Sequence, residues 1–566
     1  MLRQKLWKRR RIISQGNYKV LIEKFRQRLK NIMEQVNLKS TNHESTFLKG
    51  AFVLSLGGFI TKAIGAIYRI PLTNILGAEG IGMYQLVFPL YILLLTISSA
   101  GLPSAISRLI SESGKQMGDY IFKIALLSLA FFGLTFSIAL FFLAPVISKL
   151  QGNSNVTVLY YAICPSVFFV ALISAFRGFF QGRLKMSYTA VSQITEQVVK
   201  AGFSILFSIL FMPDVMRAVF FIVLSVSISE VIALLYLFLQ FIRFKKKRKD
   251  VFTISSNENL KSKIDKNSKQ ADNKFKALEI FKLIYKISIP ATLTALILPL
   301  SQLVDSSLVV KYLNSNNFNG TVLFGLLSGP VFSIINLPTV FAAAIATTCL
   351  PLLSKHRAFG ETAQLKTKIN YAFKLIFLIV LPSSLVIYFY SDEISYFLYR
   401  GLSAENLEIL SDLLKISSVG VIFLSLTQVC ASILIAIKKT YVGLLSLLTA
   451  IIIKIVLNII LLNYSDLNIF GPAIASIVCY AVSSLICFLY IIVYTRCGFK
   501  IFTQVAIFAI ISFASVFSIY FFRKYIFNFE GTISFLSALA LSLMFFLLLA
   551  FMFKILTKND IKKLHF

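Results

Sequence analysis

The sequence predicts an all-α polytopic membrane protein with about fourteen transmembrane helices, and three observations predict this class. The 566 residues have a mean hydropathy of +0.80. Hydrophobic residues make up 57% of the chain, which is more apolar surface than a soluble core uses. These residues fall in long runs, and each run can cross a hydrocarbon core of about 30 Å as a helix.

The apolar runs form two groups with one polar segment between them. Runs of the first group occupy residues 47–69, 82–107, 120–147, 157–180, 187–212 and 216–242. Runs of the second group occupy residues 280–312, 322–353, 368–391, 409–437, 440–463, 468–494, 500–522 and 532–556. This grouping predicts two six-helix lobes around a central cavity, followed by two C-terminal helices.

Short sequence similarities indicate that the two lobes are repeats. "LPSAISRLISESG" at 102–114 resembles "LPLLSKHRAFG" at 350–360, and "KMSYTAVSQ" at 185–193 resembles "KKTYVGLLS" at 438–446. Because six is an even number of helices, the repeats are predicted to be parallel, with substrate bound between them. The predicted segments are 1–46 (basic N-terminal segment), 47–242 (N-lobe), 243–278 (basic linker), 279–494 (C-lobe) and 495–566 (the last two helices and a tail).

The charges between the runs predict the orientation of the chain. The formal net charge is +33, and the cations concentrate in alternate gaps, such as "RFKKKRK" after the sixth run. The other gaps are poor in cations, such as "PLTNILGAEGIG" after the first run. Since lysine and arginine mark cytoplasmic loops, both termini and the linker are predicted to be cytoplasmic. Cations placed in this way do not indicate nucleic-acid binding.

Four cations nevertheless lie inside the apolar runs, where each costs roughly 2.5–3.5 kcal/mol. At 1.5 Å per residue, Lys62, Lys200 and Lys454 are predicted to lie roughly 20–24 Å from the inner ends of their helices. Lys200 and Lys454 occupy nearly equivalent positions in the two repeats. Arg69 follows Lys62 by seven residues, so both lie on one helix face. This face predicts a cavity for an anion such as phosphate, although Arg69 can alternatively extend to the outer headgroups.

Three carboxylates also lie at depth, and each has a structural and a functional interpretation. Glu196 and Lys200 are four residues apart and can pair with each other, and Glu230 can neutralise one of the lysines. Asp305 lies in a long helix that contains Pro290 and Pro299 and is expected to bend near the site. All three carboxylates are therefore candidates for ion coupling as well as for structural ion pairs.

Several motifs resemble a known family. "IYRIPLTNILGAEGIGMYQLVFPLY", "AGLPSAISRL", "FRGFFQGRLKM" and "SQITEQVVK" are similar to the stage V sporulation protein B group of polysaccharide exporters. That group belongs to the multidrug/oligosaccharidyl-lipid/polysaccharide exporter superfamily, together with the MurJ-type lipid II flippases. The resemblance is dense over residues 47–211, continues more weakly to the last helix, and omits the N-terminal segment and the linker.

The resemblance implies a two-lobe flippase of the bacterial cell membrane. Its expected substrate is an undecaprenyl-diphosphate-linked glycan moved from the inner to the outer leaflet, with the peptidoglycan precursor lipid II favoured over teichoic, capsular or spore-cortex units. In the lipid II flippases, cations of the first helix line the cavity. Lys62 in "FITKAIG" matches such a position, Arg69 falls one residue from another, and Asp305 lies in a "SQLVDS" motif typical of the group.

Other classes of protein fit the sequence less well. A multidrug cation antiporter shares the superfamily but favours carboxylates in its cavity. A membrane enzyme needs catalytic residues in sizeable loops, and the sequence contains no HExxH, GxSxG or phosphate-binding loop. The six cysteines have no CxxC spacing, so neither a metal site nor a disulfide framework is indicated. We therefore expect a monomeric transporter without a cofactor, for which protons, sodium ions and the membrane potential all remain possible driving forces.

Overall fold

A computed structural model of the chain describes residues 40–99, 101–255, 269–464, 467–496, 500–526 and 531–553. These residues form helices joined by short connections. The chain divides into two units, Met1–Val53 and Leu54–Phe566, and the contacts described below lie within the second unit. Most of the predicted N-terminal segment, the middle of the linker (256–268) and the tail after residue 553 lie outside the described residues.

The helices follow one another in this order along the described chain: α1 (Ser40–Ile67), α2 (Arg69–Ser99), α3 (Leu102–Glu112), α4 (Lys115–Leu150), α5 (Thr157–Gly182), α6 (Met186–Phe211), α7 (Val215–Ser255), α8 (Lys269–Ser315), α9 (Gly320–Leu326), α10 (Phe332–Ala358), α11 (Thr362–Phe389), α12 (Ser391–Leu398), α13 (Ala404–Ala436), α14 (Thr440–Tyr464), α15 (Phe470–Thr495), α16 (Lys500–Phe521) and α17 (Thr532–Met552).

The predicted fold class is confirmed. Among the described residues, 12 helical segments are long and apolar enough to cross a membrane. The first of them, Val53–Glu112, covers two predicted runs, and α8 (Lys269–Ser315) covers the predicted seventh run. The predicted number of helices therefore agrees with the structure.

The first predicted outer loop is instead helical. Helix α2 begins at Arg69 and passes through the "PLTNILGAEGIG" segment, which we expected to be a loop because it lies between the first two apolar runs. Leu72 is fully buried and Leu76 is 3% exposed, so burial of this stretch outweighs its weak helix propensity. The helix is interrupted at Gly77 (φ 69°, ψ −175°), a conformation that glycine adopts without a Cβ clash.

The predicted linker is partly helical. Helix α7 continues through the lysine-rich stretch as far as Ser255, and α8 begins at Lys269. Lysine and arginine are good helix formers, so the helices extend beyond their apolar parts. Helix α8 is continuous across Pro290 and Pro299.

The structure supports the predicted repeat of the two lobes. Leu184 (φ 56°) and Lys438 (φ 55°) both adopt the left-handed conformation. Each lies two residues before the first residue of the equivalent helices α6 and α14. Lys200 and Lys454 therefore lie the same number of residues into their helices.

Most helix contacts lie within a lobe, such as those of α6 with α7 and of α14 with α15. One set of contacts between the lobes, which we call the lobe clamp, joins α2 and α4 to the segments around α9 and α12, and α8 also packs along α2, α3 and α4 of the N-lobe. The clamp hydrogen bonds include those from Asn74 to the Leu398 carbonyl (2.7 Å), from Gln85 to the Ser328 carbonyl (2.8 Å), from Asn153 to Thr321 (3.1 Å) and from Asn314 to the Gly152 carbonyl (3.0 Å). The charge pattern predicts that this end of the molecule faces outward.

Candidate substrate cavity

A cavity of about 360 Å³ lies between the two lobes, within the unit that begins at Leu54. The N-lobe lines it with residues of α1, α2 and α6, and the C-lobe lines it with residues of α10 and α13. The C-lobe side is uncharged and polar, and includes Ser333, Asn336, Thr339 and Gln428. The ionisable groups of the wall therefore come from the N-lobe.

Three of the four predicted cations meet in this cavity, namely Lys62, Arg69 and Lys200. The Lys62 side chain is exposed to the cavity, whereas Lys200 is only 8% exposed. The structure places Arg69 in the cavity wall, at the start of α2. Three positive charges on the wall give the cavity a strong preference for an anion.

Aromatic rings support two of these cations. The Arg69 guanidinium carbon lies 5.4 Å from the centre of the Phe88 ring. The Lys200 ammonium lies 5.8 Å from the centre of the same ring and 6.0 Å from that of Tyr68. Ring faces attract cations without neutralising them, so the charges stay available to a ligand.

None of the three cations has a carboxylate within ion-pair distance among the described residues. The carboxylate that lines the same cavity, Glu196, pairs with Arg177 of α5 at 2.7 Å. Arg177 also donates to Ser192 at 3.1 Å. The sequence offered Lys200 as the partner of Glu196, but Arg177 reaches Glu196 from a neighbouring helix with a planar guanidinium that fits a carboxylate well.

Lys454 differs from the expectation that it shares a site with Lys62. It is 1% exposed and donates to Asp305 at 2.5 Å and to Ser301 at 3.0 Å. Asn458 donates to the other oxygen of Asp305 at 3.0 Å. Neither Lys454 nor Asp305 lines the cavity between the lobes, because the contact of α8 with α14 turns them toward each other.

Glu230 lies beside a second cavity, of about 320 Å³. Its Oε1 accepts a hydrogen bond of 2.9 Å from the Tyr91 hydroxyl, and the residue is 1% exposed. Glu196 and Arg177 also line this second cavity. Since Glu196 lines both cavities, it connects Glu230 with the three cations.

Some cavity residues were not identified from the sequence. Tyr68 and Phe88 are aromatic residues in a chain that is rich in aromatic residues, so their residue types alone do not indicate a place in the cavity. Asn336 and Gln428 are polar residues inside apolar runs, and that position was a usable signal. Arg177 was not among the predicted site residues, because its partnership with Glu196 depends on packing between helices.

Family models match the whole of the first lobe and part of the second. The model described as "Polysaccharide biosynthesis protein" matches residues 47–357. The model described as "MatE" matches residues 290–460.

Two similar proteins come from Bacillus subtilis (strain 168). Stage V sporulation protein B is 29% identical over 372 residues, which cover 64% of this chain and 68% of that protein. Lipid II flippase MurJ is 26% identical over 486 residues, which cover 81% of this chain and 84% of that protein.

Solved structures share the fold at low sequence identity. Lipid II flippase MurJ in an inward closed conformation superposes with a TM-score of 0.69 at 17% identity, over 89% of this chain and 98% of that chain. A multidrug resistance MATE family transporter in an inward-facing conformation superposes with a TM-score of 0.58 at 15% identity, over 81% of this chain and 98% of that chain.

Proposed function

Because the chain belongs to the polysaccharide biosynthesis protein family, whose model matches residues 47–357, we propose that it is a flippase for a lipid-linked glycan. It moves an undecaprenyl-diphosphate-linked glycan from the inner to the outer leaflet of the bacterial cell membrane. The proposed substrate is the peptidoglycan precursor lipid II, as the similarity to lipid II flippase MurJ over 81% of the chain suggests.

The observation that carries this proposal is the set of three cavity cations, Lys62, Arg69 and Lys200. A diphosphate presents several anionic oxygens, and charge-assisted hydrogen bonds to arginine and lysine are short and strong. The polar C-lobe wall, including Asn336 and Gln428, supplies donors and acceptors for sugar and peptide groups. The cavity therefore has the composition that a diphosphate-linked glycan requires.

A second feature suits the lipid part of the substrate. An apolar cavity of about 510 Å³ lies between α10, α11, α12 and α17. Helix α10 separates it from the cationic cavity, since Ser333 and Asn336 face one side and Ile334 and Leu337 face the other. We propose that a segment of the polyprenyl chain lies in the apolar cavity while the headgroup occupies the cationic one.

The lobe clamp suggests how the substrate enters. With the predicted orientation, the clamp closes the outer end of the space between the lobes, so substrate enters from the inner side. Release to the outer leaflet then requires the lobes to separate at the clamp and to approach each other at the opposite end. The clamp hydrogen bonds are each worth about 0.5–1.5 kcal/mol, so thermal motion can open them.

Transport by purified protein in lipid vesicles tests this function. Fluorescent lipid II, an undecaprenyl-diphosphate-linked monosaccharide and a fluorescent cationic drug would be compared in the same vesicles. We expect flipping of the diphosphate-linked lipids, fastest for lipid II, and no efflux of the cationic drug. Faster flipping of the other diphosphate-linked lipid would contradict lipid II as the substrate. Drug efflux without lipid flipping would favour a cation antiporter.

A further inference from the structure

Glu230 differs from Glu196 and Asp305 because no cation among the described residues lies within ion-pair distance of it. Glu196 is paired with Arg177, and Asp305 is paired with Lys454. Glu230 is 1% exposed, and it has no ion-pair partner among the described residues. An ionised carboxylate held in this way is far more costly than a protonated one.

The hydrogen bonding of Glu230 fits a protonated side chain. Oε1 accepts the Tyr91 hydroxyl, while Oε2 is buried without a hydrogen-bond partner among the described residues. A neutral carboxylic acid needs fewer donors than a carboxylate, whose two oxygens together accept about four hydrogen bonds. Oε2 is therefore the atom on which a proton is expected to reside.

The cavity beside Glu230 has room for water that can accept that proton. Its wall is rich in polar groups, including Ser104, Ser174, Gln181 and Gln193. The volume of about 320 Å³ exceeds the roughly 30 Å³ that one water molecule occupies in the liquid. The Gln193 Oε1 atom is also buried without a partner among the described residues, so the wall can bind ordered water.

The charged and titratable groups around Glu230 come from three helices that pack against α7. Helix α2 contributes Tyr91, α5 contributes Arg177, and α6 contributes Glu196 and Lys200. Arg177 is a cation that the two carboxylates can share, because it lines the same cavity as Glu196 and Glu230. Glu196 in turn lies four residues before Lys200 on α6, a spacing at which the two can pair.

We propose that Glu230 carries the coupling proton of the transport cycle and that its protonation controls the charge of the substrate cavity. With Glu230 protonated, Arg177 pairs with Glu196 and Lys200 is free to bind the diphosphate. When Glu230 loses its proton to water, its carboxylate attracts Arg177, and the released Glu196 pairs with Lys200. That pairing removes one positive charge from the cavity and favours release of the anion.

This proposal rests on the proposed flippase function, but its first test does not depend on transport. Infrared difference spectra of the reconstituted protein, recorded against pH, detect the carbonyl stretch of a protonated carboxylic acid. We expect such a band near neutral pH in the wild type, its loss in Glu230→Gln, and its retention in Glu405→Gln, which removes an exposed carboxylate in the first turn of α13. A band that survives in Glu230→Gln, or the absence of any band in the wild type, would overturn the proposal.

A second variant covers the case in which Glu230→Gln does not fold. Tyr91→Phe removes the donor to Oε1 and with it the hydrogen bond that stabilises the ionised form. The band should then persist to a pH higher by about one to two units, as expected from the loss of one hydrogen bond to a charged group. An unchanged pH dependence in Tyr91→Phe would contradict a proton on Glu230.

Binding of undecaprenyl diphosphate by the purified protein tests the link to the substrate cavity. In the wild type, affinity should fall at least tenfold as the infrared band is lost, whereas Glu230→Gln should bind with the same affinity throughout that pH range. Equal pH dependence in both proteins would overturn the coupling. If no lipid is flipped, the proposed function fails, and the infrared result still decides whether Glu230 holds a proton.

Discussion

At the scale of residues, the contacts of the cavity cations stabilise them by less than their burial in the membrane costs, so a structural role does not account for them. A cation near the bilayer centre costs roughly 2.5–3.5 kcal/mol, and a ring face returns about 0.5–2 kcal/mol of this. Arg69 and Lys200 have ring faces, and Lys62 is exposed to the cavity. The remaining cost is recovered when an anion binds, which makes these residues candidates for function.

Lys200 and Lys454 provide a matched comparison, because they occupy equivalent positions in the two repeats. Lys454→Gln leaves Asp305 buried without its cation, and breaking a buried pair costs about 3–5 kcal/mol. Lys200→Gln breaks no ion pair among the described residues, so we expect normal stability and reduced flipping. Thermal unfolding in detergent, together with flipping in vesicles, measures both effects.

The control for this comparison is Asp305→Asn combined with Lys454→Gln, which removes both charges of the pair and should recover most of the lost stability. Equal thermal destabilisation by Lys200→Gln and Lys454→Gln would contradict the distinction between a cavity cation and a structural one.

At the scale of elements, the close contact of α2 with α9 holds the lobes together. A Cβ at Gly82 would lie 2.1 Å from the Thr321 carbonyl oxygen, so only glycine allows this approach without a shift of the backbone. The clamp hydrogen bonds surround the same contact. Separation of the lobes at this end must therefore break a tightly packed but small contact region.

Linking the lobes across the clamp should stop transport. Asn153 and Thr321 are joined by a hydrogen bond of 3.1 Å, so cysteines at both positions can be joined by a short reversible thiol cross-linker. We expect the cross-linked protein to flip lipid at the rate of empty vesicles and to recover after reduction. The two single-cysteine variants are the controls, and normal flipping by the cross-linked protein would show that the clamp need not open.

Hydropathy was sufficient to predict the membrane-spanning helices, because burial in lipid depends on local composition, but it missed the helical start of α2 and the helical part of the linker. It was not sufficient to predict partners, which depend on packing between helices. Helical spacing offered Lys200 as the partner of Glu196, but Arg177 takes that place. The repeat indicated equal roles for Lys200 and Lys454, but the contact of α8 with α14 pairs Lys454 with Asp305. Charged residues deep inside the apolar runs thus indicated a cavity, whereas tertiary contacts determine which of these residues line it.

At the scale of the whole molecule, the described unit is a two-lobe bundle whose cationic cavity lies between the lobes and whose clamp lies at one end. The proposed transport from the inner to the outer leaflet requires that the clamp end of the molecule faces the outside of the cell. The charge pattern predicts this orientation, since lysine and arginine concentrate in the loops at the opposite end.

Labelling of single cysteines in intact cells checks the orientation. Asn155 and Lys185 are both exposed and lie in short connections at opposite ends of α5. In a chain without its native cysteines, Asn155→Cys should react with a membrane-impermeant maleimide in intact cells. Lys185→Cys should react only after the cells are permeabilised. The reverse pattern would place the clamp on the cytoplasmic side and reverse the proposed direction of entry.

The central claim is that the cavity cations hold the diphosphate of a lipid-linked glycan, and substitution of Lys62 tests it most directly. Flipping of fluorescent lipid II would be measured at equal protein content for Lys62→Arg, Lys62→Gln and the control Lys149→Gln, an exposed lysine at the end of α4. Loss of a charge-assisted contact typically costs about 1.5–3 kcal/mol, or more than about tenfold in binding. We therefore expect substantial flipping by Lys62→Arg, a loss of more than about tenfold in Lys62→Gln, and no change in Lys149→Gln. Wild-type flipping by Lys62→Gln would contradict the claim.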